Sequence, residues 1–513
     1  MLPTIADPQN TADDLYNTIA ANCDFFVDTN GEAFFVCRGK NTYTLVYLSS
    51  PDDSKLFFTR LYFATFNATV KKADVTTAYE TVCAVVSKAS QQTPVFTRAG
   101  YDNGKLYYDL ATAKGDIIEI SPSGVNTVKK SAVNNLFFYK DATMLEQEKP
   151  VASEYNIFDF IKEFFNVEEQ YVLLLAVYLC AAFIPQIKHP ILIAEGEKGA
   201  AKTTLLRYLS KIINPVTKDV LVLPKKEDNL VTALSNNHFS AFDNIECLPV
   251  EHCRILCQSV TGGTLVKRKL YSDNREIAIN IKRIVALNGI CLNISKDDLL
   301  DRAIMVYLNR ISEDKRCPEE VLDANFKSKL PQLLSNVFEI LSKALRIYPE
   351  VNLAEYPRMA DYSRYGYAIA EAMGEGYGAK FIEDYRDNIR KATASLVEQD
   401  PVLNCVVHVA ETGSWRGTMS DLLKKLQKCY REIYTSKNLP ITFPDNPISL
   451  SKKLGNHKHE LDKLGVNVVT GRSKDRFVVV YKNGDEPTTN STISPKKDEF
   501  DTKNRKNLLE DDD

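Results

Sequence analysis

The chain has 513 residues, too many for one hydrophobic core, so about three to four domains are expected. Hydrophobic residues at 44% and charged residues at 26% mark a globular protein rather than a disordered or membrane-spanning one. A net charge of -3 excludes a uniformly basic nucleic-acid-coating protein, so any basic surface has to be local. The 11 cysteines are scattered without the paired spacing of a disulfide framework. Together with an N-terminus that lacks a basic-then-apolar leader, this predicts a reducing, cytoplasmic setting.

In chain order, residues 12–23 have helical spacing, 33–48 and 55–63 alternate like strands, and 73–89 return to helical spacing. From residue 94 to 140 strand-like runs are separated by turns such as Asp102-Asn103-Gly104. Residues 1–150 therefore read as an α+β N-terminal domain without an assigned job, and no acidic metal cluster of a primase polymerase stands out in it. The longest apolar stretch, Tyr171 to Pro185, falls short of the roughly 20 residues of a membrane span and reads as a buried helix. No membrane association is expected.

A buried strand, a turn of small residues and an amphipathic helix follow over Pro190 to Leu206. Gly196, Glu197, Lys198, Gly199, Ala200, Ala201, Lys202, Thr203 and Thr204 have the pattern of a loop that cradles phosphate. Successive backbone N–H groups and the positive end of the helix favour a polyphosphate there. Lys202 would neutralise the β- and γ-phosphates, and the Thr203 hydroxyl would sit on Mg²⁺. ATP and Mg²⁺ are thus the expected substrate and metal. Ala201 stands where most such loops carry Gly, which requires that the backbone there avoid positive φ.

Residues 238–243 form an apolar strand that ends in Asp243, where a second Mg²⁺-ordering residue belongs. Asn244 follows where related ATPases carry Glu, and Glu246 lies two residues on. Either Glu246 takes the proton of the attacking water or Asn244 positions that water; the residues leave both open. The strand 283–288 ends in Asn288, read either as a contact to the γ-phosphate or as a turn former before Gly289. Alternating strands and helices across residues 151–325 argue for a mostly parallel sheet covered on both faces. Arg302, after the acidic run Asp297-Asp298-Leu-Leu-Asp301, suits an arginine finger reaching a neighbouring subunit. Pairing with Asp298 or Asp301 is the plainer alternative. Arg358 lies in a helical region, 326–400, from which it would sense nucleotide within its own subunit.

Lys267, Arg268 and Lys269 sit on an expected β-hairpin over 261–281, which in a ring of subunits would line a central pore and grip single-stranded DNA. Cys253 and Cys257, four apart on an apolar helix, read as core rather than as zinc ligands. Residues 401–483 read as a winged helix, with Lys452, Lys453 and Lys458 on one helix and Arg472, Lys474 and Arg476 on the wing, a set suited to duplex DNA. Residues 484–513 are polar and acidic and are expected to be disordered.

With these motifs in order, the chain resembles the AAA+ ATPases of phages, integrative elements and related mobile DNA, akin to superfamily III replication helicases. The resemblance runs from about Ala12 to Tyr481. It rests on Lys105-Leu-Tyr-Tyr-Asp109, the 196–204 loop, Phe242-Asp243-Asn244, Thr261-Gly-Gly, Leu270-Tyr-Ser-Asp, Leu287-Asn288-Gly-Ile, Asp298-Leu-Leu-Asp-Arg302-Ala, Pro357-Arg358-Met-Ala-Asp and Trp415-Arg-Gly-Thr. It implies an α/β multidomain architecture of α+β N-terminal domain, AAA+ P-loop core, helical lid and C-terminal winged helix. Lys202, Thr203 and Asp243 are implied as ATP and Mg²⁺ residues, Asn288 as first sensor, Arg302 as the finger acting in trans and Arg358 as a lid residue. The family commonly carries Ala before the loop lysine and Asn after the strand aspartate. A ring-forming, hexameric, ATP-driven DNA helicase in replication of a mobile element is the expectation, with a primase or polymerase as further partner. An ATP-switched origin binder or loader that does not travel, and a protein-remodelling or defence ATPase, are the rival readings.

Overall fold

The computed structural model of the chain describes residues 11–86, 92–133, 136–268, 276–294, 297–435, 438–440, 442–472 and 476–485, without the side chains of 247, 265–268, 276–280, 290–294, 297–298 and 315. The chain forms two compact units, Met1–Ile389 and Arg390–Asp513, and the division falls within the helix Tyr377–Gln399.

The first unit opens with a four-stranded sheet in the order Tyr43–Tyr47, Ala33–Arg38, Cys23–Asp28, Gln92–Thr93. The helices Ala12–Asn22, Pro51–Phe66 and Lys72–Val86 pack with it around Leu15, Phe35, Phe58, Tyr62 and Val82. The strand expected over 55–63 is therefore a helix. Pro51 occupies its first position, Asp52 and Asp53 its first turn, and Asn67 closes it in the left-handed conformation at φ 52°. Ser54, Phe58 and Tyr62 recur every four residues on its buried face, a periodicity that the alternating run of apolar residues conceals.

An antiparallel meander follows over Ala99–Asp102, Lys105–Asp109, Asp116–Ser121 and Gly124–Lys129. Its first turn is made by Asn103 and Gly104, both at positive φ. Leu106, Tyr108, Ile118 and Ile120 enter the same buried cluster as the apolar helix Glu169–Ala181 and the long helix Glu319–Ile347. The core thus runs across residue 150 without a break.

A five-stranded sheet carries the central chemistry. Its order is Leu221–Val222, Phe239–Leu248, Ile284–Ile294, Ile191–Gly196, Ala303–Leu308, and every pairing is parallel. Burial on both faces explains the unbroken apolar runs Ile191-Leu-Ile-Ala and Ile284-Val-Ala-Leu. A parallel sheet aligns the carboxyl ends of its strands, so Gly196, Asp243, Asn288 and Leu308 come to one edge. The strand through Asn288 continues to Ile294, which removes the reading of Asn288-Gly289 as a turn. An antiparallel hairpin, Gly263–Arg268 with Glu276–Ile281, leaves the sheet before the Asn288 strand. The helices Glu319–Ile347 and Ala360–Met373 pack on one another and on the Glu169–Ala181 helix.

The second unit has the order helix Pro401–Glu411, strand Trp415–Gly417, helix Met419–Ile433, helices Pro447–Asn456 and Lys458–Lys463, and strands Val466–Arg472 and Arg476–Lys482. The three strands form one sheet with Arg476–Lys482 in the middle. The Trp415–Gly417 strand has no counterpart in the sequence reading, because three residues are too few for a periodic signal. Leu422, Leu426, Leu450, Leu454, Val466 and Val480 fill the core. No helix among the described residues is long and apolar enough to cross a membrane.

Candidate phosphate-loop site and basic groove

The turn from strand Ile191–Gly196 to helix Lys202–Ile213 depends on two glycines. Gly196 has φ 151° and Gly199 φ 81°, and a Cβ at 196 would overlap the Leu308 carbonyl of the adjacent strand. Ala201 has φ 64° and ψ 29°, so the expectation that an alanine there avoids positive φ is corrected. An L-residue in that conformation costs roughly 1–2 kcal/mol, which the surrounding loop sustains. The Lys202 ammonium donates to the carbonyls of Gly196 at 2.6 Å and Glu197 at 2.9 Å. Burial pushes its pKa below the ordinary lysine value, with the Asp243 charge acting in the opposite direction.

The Thr203 hydroxyl donates to Asp243 Oδ1 at 3.1 Å, which joins two residues 40 positions apart in sequence. Strand Phe239–Leu248 does not end at Asp243. Its register with the Asn288 strand shifts between Phe242 and Ile245, and Asn244 takes φ 55° at that bulge. Asn tolerates the left-handed region better than Glu, which accounts for its identity at this position. The Asn244 N–H donates to Asn288 Oδ1 at 2.7 Å. Asn288 is 1% exposed, and its Nδ2 has no hydrogen-bond partner among the described residues. Ile245 is buried between the exposed Asn244 and Glu246.

Sequence reasoning missed the frame around the loop. The Asn166 side chain donates to the carbonyls of Ala200 and Asn309, the Ile311 N–H donates to Gly199 O at 3.3 Å, and Val167 bridges to Leu308. Nothing in residues 165–168 or 309–311 marks them as loop supports, since their role arises only from strand order.

Arg302 and Arg358 are not brought to this edge. Arg302 precedes strand Ala303–Leu308, whose first residue pairs with Ile191 and whose last pairs with Gly196. About 17 Å of strand separates that end from the loop. Arg358 is ion-paired to Asp301 at 3.2 Å, which places it beside Arg302 rather than near the phosphate loop of its own chain, contrary to the expectation of a sensor in cis. Cys253 and Cys257 are buried in the core, and His252 on the same helix bonds the Pro224 carbonyl at 2.8 Å.

The backbones of Lys267 and Arg268 occupy the last two pairs of the hairpin, opposite Ile277 and Glu276. Lys269 and Lys474 lie outside the described residues, as does the expected acidic tail from 486.

In the second unit a cavity of about 780 Å³ is lined by Ile448, Ser451, Lys452, Arg472, Arg476 and Phe477 among others, with no carboxylate among its described residues. Lys453 points elsewhere: it is ion-paired with Asp400 at 2.7 Å and is withdrawn from the expected DNA-facing set. Lys458 is exposed at the start of the next helix and does not line the cavity. Arg416, not anticipated from sequence, lies over the Phe477 ring at 4.2 Å.

The two units together define a mixed α/β multidomain protein with a strand–turn–helix loop at the carboxyl edge of a parallel sheet and a separate basic groove. Residues 159–390 match the family described as actinomycete integrative conjugative element replication protein, and residues 402–492 match the AICE RepA C-terminal domain. Over these two segments the chain is similar to replication proteins of integrative mobile elements. Among solved structures it is similar to the SCCmec type IV Cch active helicase at 12% identity and a TM-score of 0.46, covering 90% of this chain and 93% of that one. It is also similar to the A-form apo structure of the NrS-1 C-terminal region at 12% identity and a TM-score of 0.40, covering 91% and 98%. No curated protein matches the chain.

Proposed function

We propose that this replication protein is an ATP-driven motor that assembles as a ring, expected as a hexamer, and moves along DNA. The observation that carries the reading is the joining of Thr203 to Asp243 at 3.1 Å, beside Lys202 and at the same sheet edge as Asn288. A hydroxyl and a carboxylate so placed are hard oxygen donors of the kind that Mg²⁺ takes, and the metal bound with ATP would offset charge on the phosphates. Lys202, held by two carbonyls, would exchange them for β- and γ-phosphate oxygens. Asn288 would offer its unpaired Nδ2 to the γ-phosphate or to the attacking water. That water's oxygen would bond to the γ-phosphorus as the bond to the bridging oxygen of ADP breaks. The placement of Arg302 away from its own loop supports action on the site of a neighbouring copy. The hairpin would meet single-stranded DNA in the ring, and the basic groove would meet duplex DNA.

The test is ATP turnover by the full chain with no DNA, with single-stranded DNA and with duplex. The motor reading expects turnover that rises with single strands and vanishes in Lys202→Ala. Turnover indifferent to every polynucleotide would overturn it in favour of a protein-remodelling ATPase. A second reading, an ATP-switched origin binder, is favoured by the groove of the second unit. Displacement of a strand from a forked duplex separates it from a motor.

A further inference from the structure

We infer that the groove of the second unit reads DNA sequence, and that Ile448 sets the preference by apolar contact with a thymine methyl in the major groove. The inference rests on the duplex-binding reading just given and goes beyond it in naming what is recognised and by which side chain.

The helix Pro447–Asn456 divides its residues cleanly. Leu450 and Leu454 are buried in the core, and Lys453 is held by Asp400. Ile448, Ser451 and Lys452 line the cavity instead. Residues at i, i+3 and i+4 share one helix face, and the next position on that stripe is Gly455, with open space around it. A face with a clear approach suits a groove about 12 Å wide that admits a helix.

Ile448 is 82% exposed, in the first turn of this helix. A lone exposed aliphatic residue is ordinary on a protein surface. This one stands at the mouth of a cavity whose charged lining residues are Lys452, Arg472 and Arg476, with no acid among the described lining. That charge set complements a polyanion, while an isoleucine adds nothing to phosphate binding. Its position is also well defined: Asn446 accepts from the N–H groups of Ile448 and Ser449, and Pro447 fixes the first helical position. Side chains in the first turn of a groove-bound helix meet base edges, and the methyl of thymine is the apolar feature displayed there. Arg472 and Arg476, on the two strands flanking the turn, are placed for phosphates, which position the protein without reading sequence.

The experiment selects sites for the full-length protein from a random duplex library and then measures affinity for the selected duplex and a scrambled one at several salt concentrations. The expected result is a selected site whose uracil-for-thymine version binds roughly 4- to 10-fold more weakly. Ile448→Ala should lose the same factor on the thymine duplex and nothing more on the uracil duplex. Arg476→Ala should weaken both duplexes alike and lower the salt slope by about 1. Binding without any selected sequence, or a selected site insensitive to uracil, overturns the inference and leaves the duplex reading standing. Absence of duplex binding by the unaltered chain overturns both. Binding of a protein segment in the groove, competed by neither duplex, also overturns both. Since Ile448 is outside the core, an unchanged thermal midpoint for Ile448→Ala is expected and separates recognition from folding.

Discussion

The backbone N–H of Asn244 donates to the side-chain oxygen of Asn288, 2.7 Å away on the adjacent parallel strand. The bond spans the bulge at which the Phe239–Leu248 strand shifts register, so one side chain holds the edge that follows Asp243. Asn288→Ala would remove the acceptor of the part-buried Asn244 N–H and is expected to cost about 1 kcal/mol of stability. If the chain turns over ATP as proposed, the loss of Asn288 Nδ2 should also lower that turnover by roughly 10-fold. Denaturant unfolding and turnover of the same variant check the two effects separately. Full turnover in a destabilised variant would confine Asn288 to a structural role.

Two non-glycine residues near the loop, Ala201 and Asn244, have left-handed backbones. Ala201→Gly removes a Cβ that conformation disfavours and is expected to raise stability by up to about 1 kcal/mol, after the greater freedom that Gly gives the unfolded chain is subtracted. Asn244→Val introduces a β-branched side chain where φ is positive and should cost about 2 kcal/mol. Thermal melts of the two variants should therefore shift in opposite directions.

Arg302 lies at the opposite end of its strand from the 196–204 loop, so under the proposed ATPase reading it would act on the loop of another copy. Mixing Arg302→Ala chains with Asp243→Ala chains is expected to restore part of the ATP turnover that each lacks alone. Mixed rings that form and stay inactive would rule out an arginine shared between subunits.

His189 and His238 are buried, and each bonds a main-chain carbonyl at 3.0 Å, those of Ile184 and Ala182. Burial pushes their pKa values down, to about 3 for His189 and about 4 for His238, below the ordinary value of about 6.5. The unfolded chain therefore binds more protons than the folded one as pH falls below about 6.5. Their contribution is complete above that value and is lost as pH falls through 6.5 toward 4. At pH 5 the loss is on the order of 2 kcal/mol for each. Denaturant unfolding between pH 7 and 5 should show this slope, and His238→Gln should flatten it.

The small-residue loop between strand and helix, the strand through Asp243, the hairpin and the helix-then-strand-pair of the C-terminal region were legible in the linear chain because each is a local pattern. A small-residue turn before Lys202-Thr203, an apolar run before Asp243 and basic residues beside a turn need no knowledge of distant neighbours. What the tertiary structure alone decided depends on partners far away in sequence. The close approach of Gly196 to the Leu308 carbonyl comes from strand order, and the left-handed backbone of Asn244 falls at a register shift against the Asn288 strand. The Asp400 carboxylate turns Lys453 away from the groove, while Asp301 holds Arg358 at the wrong end of the sheet for a sensor. The helix at Pro51–Phe66 was hidden because its buried period of four overlaps an alternating run. Periodicity and spacing report which face of an element is apolar; strand order and ion pairing report which distant residues meet, and those choices exist only once the sheet has formed.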